Sequence, residues 1–183
     1  MTIYVIEGCD MLGKGTLIDG IINRKGYHPV IHFSRPKILE AYQNCLSLPE
    51  YEYQYSSFVN GFQLLETRVP MIFDRGWLGE TVYGPLYRGT EADYVFELEK
   101  QFGVANWHHV KLILLTTSSW DFVDDDGQSF DVNNRVKEQW IFQEAFEKSI
   151  FPNKIEIDIM TEGDFGLGLR RKTVDELLVE IGI

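Results

Sequence analysis

At 183 residues the chain is about one domain's worth, and a hydrophobic content of 44% is enough for one sizeable core. A formal net charge of −11 argues against a protein that holds duplex DNA through its phosphates, because that binding is driven by basic surface. No apolar run approaches the twenty or so residues that cross a bilayer, no basic-then-apolar leader is present, and the two cysteines, Cys9 and Cys45, are too few for a disulfide framework. The chain therefore reads as one soluble, unprocessed domain over 1–183 in a reducing cytoplasm, with no membrane and no stable nucleic-acid partner.

Thr2 to Ile6 is a short apolar run suited to a buried strand, and Lys14 to Arg24 carries Leu17, Ile18, Ile21 and Ile22 at helical spacing. Between them lies EGCDMLGKGT, Glu7 to Thr16. A glycine-punctuated turn between a strand and a helix start is a phosphate cradle: its N–H groups and the positive end of the helix collect anionic oxygens, and Lys14 can reach the outer phosphates. The spacing Gly8, four residues, Gly13, Lys14 is that of a Walker A loop, with Gly15 after the lysine and the hydroxyl one place later at Thr16.

Gly26 ends the first helix, and Pro29 to Phe33 predicts a second strand running into Ser34, Arg35 and Pro36. Lys37 to Leu48 and Tyr51 to Arg68 predict two helices, the second with Tyr55, Phe58, Phe62 and Leu65 at spacings of three and four, an aromatic stripe of which most faces the core. Val69 to Phe73 predicts a third strand, ending in Asp74 and Arg75. If the third strand neighbours the first, this acid and arginine sit beside the loop, where Arg75 can bind a phosphate bidentately and Asp74 can hold Mg²⁺ water or orient the acceptor; with Arg35 at the end of the second strand, two arginines converge on one side of the loop and suggest an anionic acceptor.

Thr90 with Asp93 predicts the cap of a helix to about Phe102, and His109 to Thr116 a strongly apolar fourth strand. A polar loop follows from Trp120 to Asp131, then a helix expected to bury Val136, Trp140, Phe146 and Ile150. Lys154 to Ile159 predicts a fifth strand, Thr161 to Leu169 a glycine-bearing loop, and Thr173 with Glu176 the cap of a final helix. Alternating strands and helices imply a parallel sheet in a three-layer α/β domain.

EGCDMLGKGT, the arginine of FSRP, and Asp74-Arg75 followed nine positions after Asp74 by Tyr83 together resemble the thymidylate kinase branch of the nucleoside monophosphate kinases. The DDGQSF stretch before a long helix is similar to the lid of compact phage-carried kinases, which would place the protein in a host cytoplasm. The resemblance implies a P-loop NTPase fold, a five-stranded parallel sheet of order 2-3-1-4-5 with a short lid at about 120–131. It also implies transfer of the γ-phosphoryl of ATP, with Mg²⁺, to a deoxynucleoside monophosphate (dTMP, dUMP or a modified pyrimidine), and a homodimer packed through helices. Gly8, Cys9, Asp10, Met11, Leu12, Gly13, Lys14, Gly15 and Thr16 would hold ATP, with Thr16 and Asp74 near the metal. Lys14, Arg75, Asp74 and Asp10 would carry catalysis, and Asp10, Arg35, Arg75, Tyr83 and Phe58 or Phe62 the acceptor, with Gln54 or Asn60 at the polar edge of the base. The family's catalytic arginine is missing, since the loop carries Met11 and the lid Asp124, Asp125 and Asp126. That leaves Arg88, Arg135 and Lys137 as substitutes. Alternatives are a deoxynucleoside kinase, a kinase of hydroxymethylated bases in phage DNA, and a nucleotide-binding regulator without turnover.

Overall fold

The computed structural model describes residues 2–33, 50–123, 132–163 and 168–183. Arg35, Cys45, the predicted helix 37–48 and Asp124 to Asp126 lie outside the described residues. Five parallel strands, β1 (Ile3–Gly8), β2 (Val30–His32), β3 (Ile72–Asp74), β4 (Val110–Thr116) and β5 (Lys154–Asp158), form one sheet in the order β2-β3-β1-β4-β5. β1 sits at its centre, between β3 and β4. Every residue of β1 is buried, as expected where helices cover both faces of a parallel sheet. In register, Ile6 lies beside Asp74 on one side and Ile113 on the other, so the loop after β1 and the turn after β3 emerge as neighbours. This is the switch point of the sheet, where connections diverge and α/β folds open a crevice.

The helices are α1 (Lys14–Lys25), α2 (Glu50–Glu66), α3 (Leu78–Tyr83), α4 (Tyr94–Phe102), α5 (Arg135–Lys148) and α6 (Val174–Glu180). α1 buries Leu17, Ile18 and Ile21, and α2 buries Phe58, Phe62 and Leu65, as their periodicity requires. Phe62 packs on Trp77 and Phe102, with ring centroids 4.6 and 5.2 Å away, in an aromatic core joined by Trp107 and Phe151. Glu99 is fully buried there, and its carboxylate accepts from Trp77 Nε1, Ser149 Oγ and the Ile150 N–H, which offsets the cost of desolvating it. No helix among the described residues is long and apolar enough to cross a membrane.

Several elements differ from expectation. α4 begins at Tyr94 after Asp93 and makes no side-chain cap, so Thr90 does not cap it. Of the stretch 161–169 expected as a loop, Thr161 and Glu162 lie in β6 (Met160–Glu162) and Leu169 in β7 (Leu169–Arg171), two strands paired antiparallel. α5 is rotated from its predicted face: Val136 and Trp140 are exposed, while Arg135 and Glu138 are buried with Phe142, Ala145 and Phe146. The reason is polar. Glu138 accepts from the Tyr87 hydroxyl, the Arg135 guanidinium lies over the Trp120 ring, and the Arg135 carbonyl faces the Cys9 thiol at 3.9 Å. The final helix carries its predicted capping box, Thr173 with Glu176.

Candidate functional site: a phosphate loop facing an ion-paired wall

The loop between β1 and α1 opens with Gly8 at φ 135°, where any Cβ would come within 2.5 Å of the Leu115 carbonyl oxygen on β4. Only glycine lets the chain leave the sheet there. Met11 at φ 67° and Gly13 at φ 87° complete the winding. Lys14 is buried and turns back over the loop, donating to the carbonyls of Gly8 at 2.9 Å and Cys9 at 2.7 Å, with Asp10 at 3.7 Å. Burial first, then the charge of Arg75, press its ammonium below the ordinary lysine range. Gly8, Asp10, Met11, Gly13, Gly15 and Thr16 line the same cleft as Lys14, while Cys9 and Leu12 point into the core. Burial pushes the Cys9 thiol up to about 12, so it is not a thiolate nucleophile at neutral pH.

Across the cleft, Arg75 follows β3 at φ 69°, an uncommon conformation for a side chain, and its N–H is held by the Ile6 carbonyl at 3.0 Å. Its guanidinium reaches Asp10 at 2.5 Å, linking the turn to the loop. Asp74 pairs with His32 at 2.8 Å. Beneath both, the buried Glu7 carboxyl accepts from the Leu78 N–H at 3.0 Å and from the Gly76 N–H. A Cβ at Gly76 would come within 2.8 Å of that carboxyl, so this close approach needs glycine. Desolvation pushes Glu7 up to about 7 despite these bonds and the nearby Lys14 and Arg75.

The remaining wall comes from α3 and the π-helical turn that continues it, Gly84–Arg88. Pro85 lacks an N–H, and the turn closes instead with the Gly89 N–H on the Gly84 carbonyl. This winding keeps Tyr83, Tyr87 and Arg88 all on the cleft. Arg88 pairs with buried Glu80, and Tyr83 packs against Tyr87 and Phe142 with ring centroids 6.2 and 6.0 Å away. Burial, its largest influence, raises the Tyr83 phenol, which stays neutral. Phe33, Phe58 and Gln54 close the far end. The whole cleft holds about 670 Å³.

Thus the structure brings Asp10, Lys14, Thr16, Phe58, Asp74, Arg75 and Tyr83 into one cleft. Phe62 is not among them: it is wholly buried between Trp77 and Phe102, and the base-stacking role expected of it is corrected to a core role. Of the proposed substitute cations, Arg88 lines the cleft, whereas Lys137 is exposed on α5 and the buried Arg135 lies over the Trp120 ring. Sequence reasoning missed Glu7 as a buried acid, Glu80, Tyr87 and Arg171. Arg171, at the end of β7, reaches the Met11 carbonyl at 3.2 Å. Its one legible signal was a pair of arginines beside the capped final helix.

The phosphate loop on a sheet of this order defines the fold of the P-loop kinases. The YorR protein of Bacillus subtilis in complex with phosphorylated GDP is similar, with a TM-score of 0.59 at 15% identity over 86% of this chain and 85% of that one. A gluconokinase from Sinorhizobium meliloti gives a TM-score of 0.49 at 13% identity over 98% and 89% of the two chains. Deoxyadenosine kinase from M. mycoides with dCMP and dCDP gives 0.47 at 14% identity over 86% and 90%. No protein-family model and no curated protein sequence matches the chain.

Proposed function

We propose that the protein is a deoxynucleoside monophosphate kinase, transferring the γ-phosphoryl group of ATP to a pyrimidine dNMP such as dTMP, dUMP or a modified relative. The observation that carries this reading is the position of Arg75: a guanidinium held at a left-handed turn, facing Lys14 and Asp10 across the cleft. In-line transfer needs little covalent help and much positive charge between donor and acceptor. The loop N–H groups and Lys14 bind the donor phosphates; Arg75 turns from Asp10 to the acceptor phosphate. An acceptor phosphate oxygen then bonds to the γ-phosphorus as the bond to the β–γ bridging oxygen breaks, and ADP leaves. Tyr83, Phe58 and Phe33 offer flat apolar surface to sugar and base, with the buried Gln54 for the polar edge. A nucleotide ligand in the similarly folded YorR structure accords with this reading.

Mg²⁺ would neutralise charge on the bridging phosphates. The exposed Thr16 hydroxyl and the Asp74 carboxylate share the cleft and suit a cation that takes few protein ligands and keeps several waters.

One observation favours a hydroxyl acceptor, as in a deoxynucleoside kinase. Glu7 lines the cleft at the end of β1, and with burial pushing its carboxyl up to about 7 it could take a proton from an alcohol there. A screen of purified protein with ATP and Mg²⁺ against dTMP, dUMP, hydroxymethyl-dUMP, dCMP, dAMP, dGMP, thymidine and single-stranded DNA, with product masses, decides between them. A diphosphate product supports the monophosphate reading. Turnover confined to thymidine or DNA would overturn it, as would ATP binding with no turnover on any acceptor.

A further inference from the structure

Four cationic side chains line the cleft among the described residues: Lys14, Arg75, Arg88 and Arg171. Three already have acidic partners. Lys14 lies near Asp10, Arg75 is paired with Asp10, and Arg88 with Glu80. Arg171 has no carboxylate partner among the described residues, and one N–H, on Nη2, is engaged, by the Met11 carbonyl at 3.2 Å.

The placement is built from both sides. Arg171 sits opposite Met160 in the β6–β7 hairpin. The preceding residue, Arg170, makes a bidentate pair with Glu176, at 2.8 and 2.6 Å, and Glu176 itself completes the cap of α6. The following Lys172 gives its N–H to the Ile159 carbonyl at 2.7 Å and its ammonium to Glu180 at 2.6 Å. With both neighbours tied to α6, Arg171 is directed at the lip of the phosphate loop. A Cβ on Gly13 would lie 3.2 Å from its guanidinium. Four further N–H donors remain in a planar fork that matches phosphate oxygens.

We propose that Arg171 is a ligand of the outer phosphates of the nucleoside triphosphate bound in the loop, the cationic group that Met11 and the acidic 124–126 stretch do not supply. This deepens the kinase reading and rests on it. As the bond between the γ-phosphorus and the bridging oxygen breaks, charge gathers on the departing diphosphate, and the Arg171 guanidinium donates to it without gaining or losing a proton.

The test uses the full chain with Arg171→Met, which removes the charge and keeps an unbranched stem, and Arg171→Lys, which keeps a point charge. Dissociation constants are measured with Mg²⁺ for ATP and, by competition, for inorganic tripolyphosphate. Arg171→Met should weaken both by a similar factor of about ten or more, and Arg171→Lys should recover part of that loss. Weakened ATP binding with unchanged tripolyphosphate binding would mean that Arg171 meets the base, and overturns the inference. Lys14→Ala separates the two levels. ATP binding that depends on Lys14 but not on Arg171 refutes only this proposal, whereas ATP binding indifferent to Lys14 refutes the phosphate-loop reading beneath it.

Discussion

On one side of the cleft, proposed to hold the donor, an anion would meet main chain: a loop wound through Gly8, Met11 and Gly13, with one buried lysine resting on the loop's carbonyls. On the facing wall, the proposed acceptor side, it would meet side chains already holding partners, Arg75 on Asp10 and Arg88 on Glu80. The donor side presents main-chain N–H groups ready-made, and there only Lys14 has to turn, from the carbonyls of Gly8 and Cys9. The acceptor side must exchange one partner for another, and its affinity is the difference between two charge-assisted contacts. Such a wall discriminates among anions by fit rather than by charge alone.

The largest expected effect falls on the donor side. Lys14→Ala should lower turnover on the order of 10²- to 10³-fold with every acceptor, because it removes a preorganised cation from the moving phosphoryl group. Steady-state rates with saturating ATP measure this; near-normal turnover would erase the contrast between the two sides. Arg75→Ala should cost about 1.5 to 3 kcal/mol in kcat/KM with a monophosphate and far less with a nucleoside. Equal losses with both acceptors would place Arg75 on the donor instead.

Smaller effects sharpen the acceptor side. Tyr83→Gly should reduce the preference for deoxy over ribo acceptors, read as the ratio of their kcat/KM values, whereas Tyr83→Phe should keep it because the ring remains packed on Phe142. An unchanged ratio in the glycine variant would remove Tyr83 from sugar selection. Glu7 offers a pH test. Its carboxyl is held protonated to about 7 in the fold against an ordinary value of 4.5, so ionising it opposes folding. The stability contributed by its neutral form is complete below about 4.5 and lost as pH rises through 7, a change of about 3 kcal/mol at most. Glu7→Gln should flatten the fall in unfolding free energy between pH 5 and 7. A wild-type profile that rises with pH over this range would contradict the assignment.

The legibility of the molecule divides along the same line. β1, the loop and α1 are contiguous, and a local pattern of apolar run, glycines and lysine specifies them without help from the rest of the chain. Asp74 and Arg75 were legible because a strand ends where they begin. The Glu80–Arg88 wall was not, since Gly79, Gly84 and Pro85 break the helical signal in a stretch whose winding is settled by packing against α5. The face of α5 was misjudged because Arg135 and Glu138 look like solvent residues until Tyr87 and Trp120 are brought beside them. Arg171 meets Met11 across 160 residues of sequence, and no periodicity reports a contact of that kind.

The π-helical turn at Gly84–Arg88 has the form of a helix that has accepted one extra residue. Removing a single residue there would restore ordinary winding and swing Arg88 by about 100° away from Glu80. Neither the sheet nor the phosphate loop would be touched. This wall of the cleft can therefore be re-registered by a change of one codon, which gives a lineage of such chains a short path to a differently shaped cleft while the loop between β1 and α1 is inherited intact.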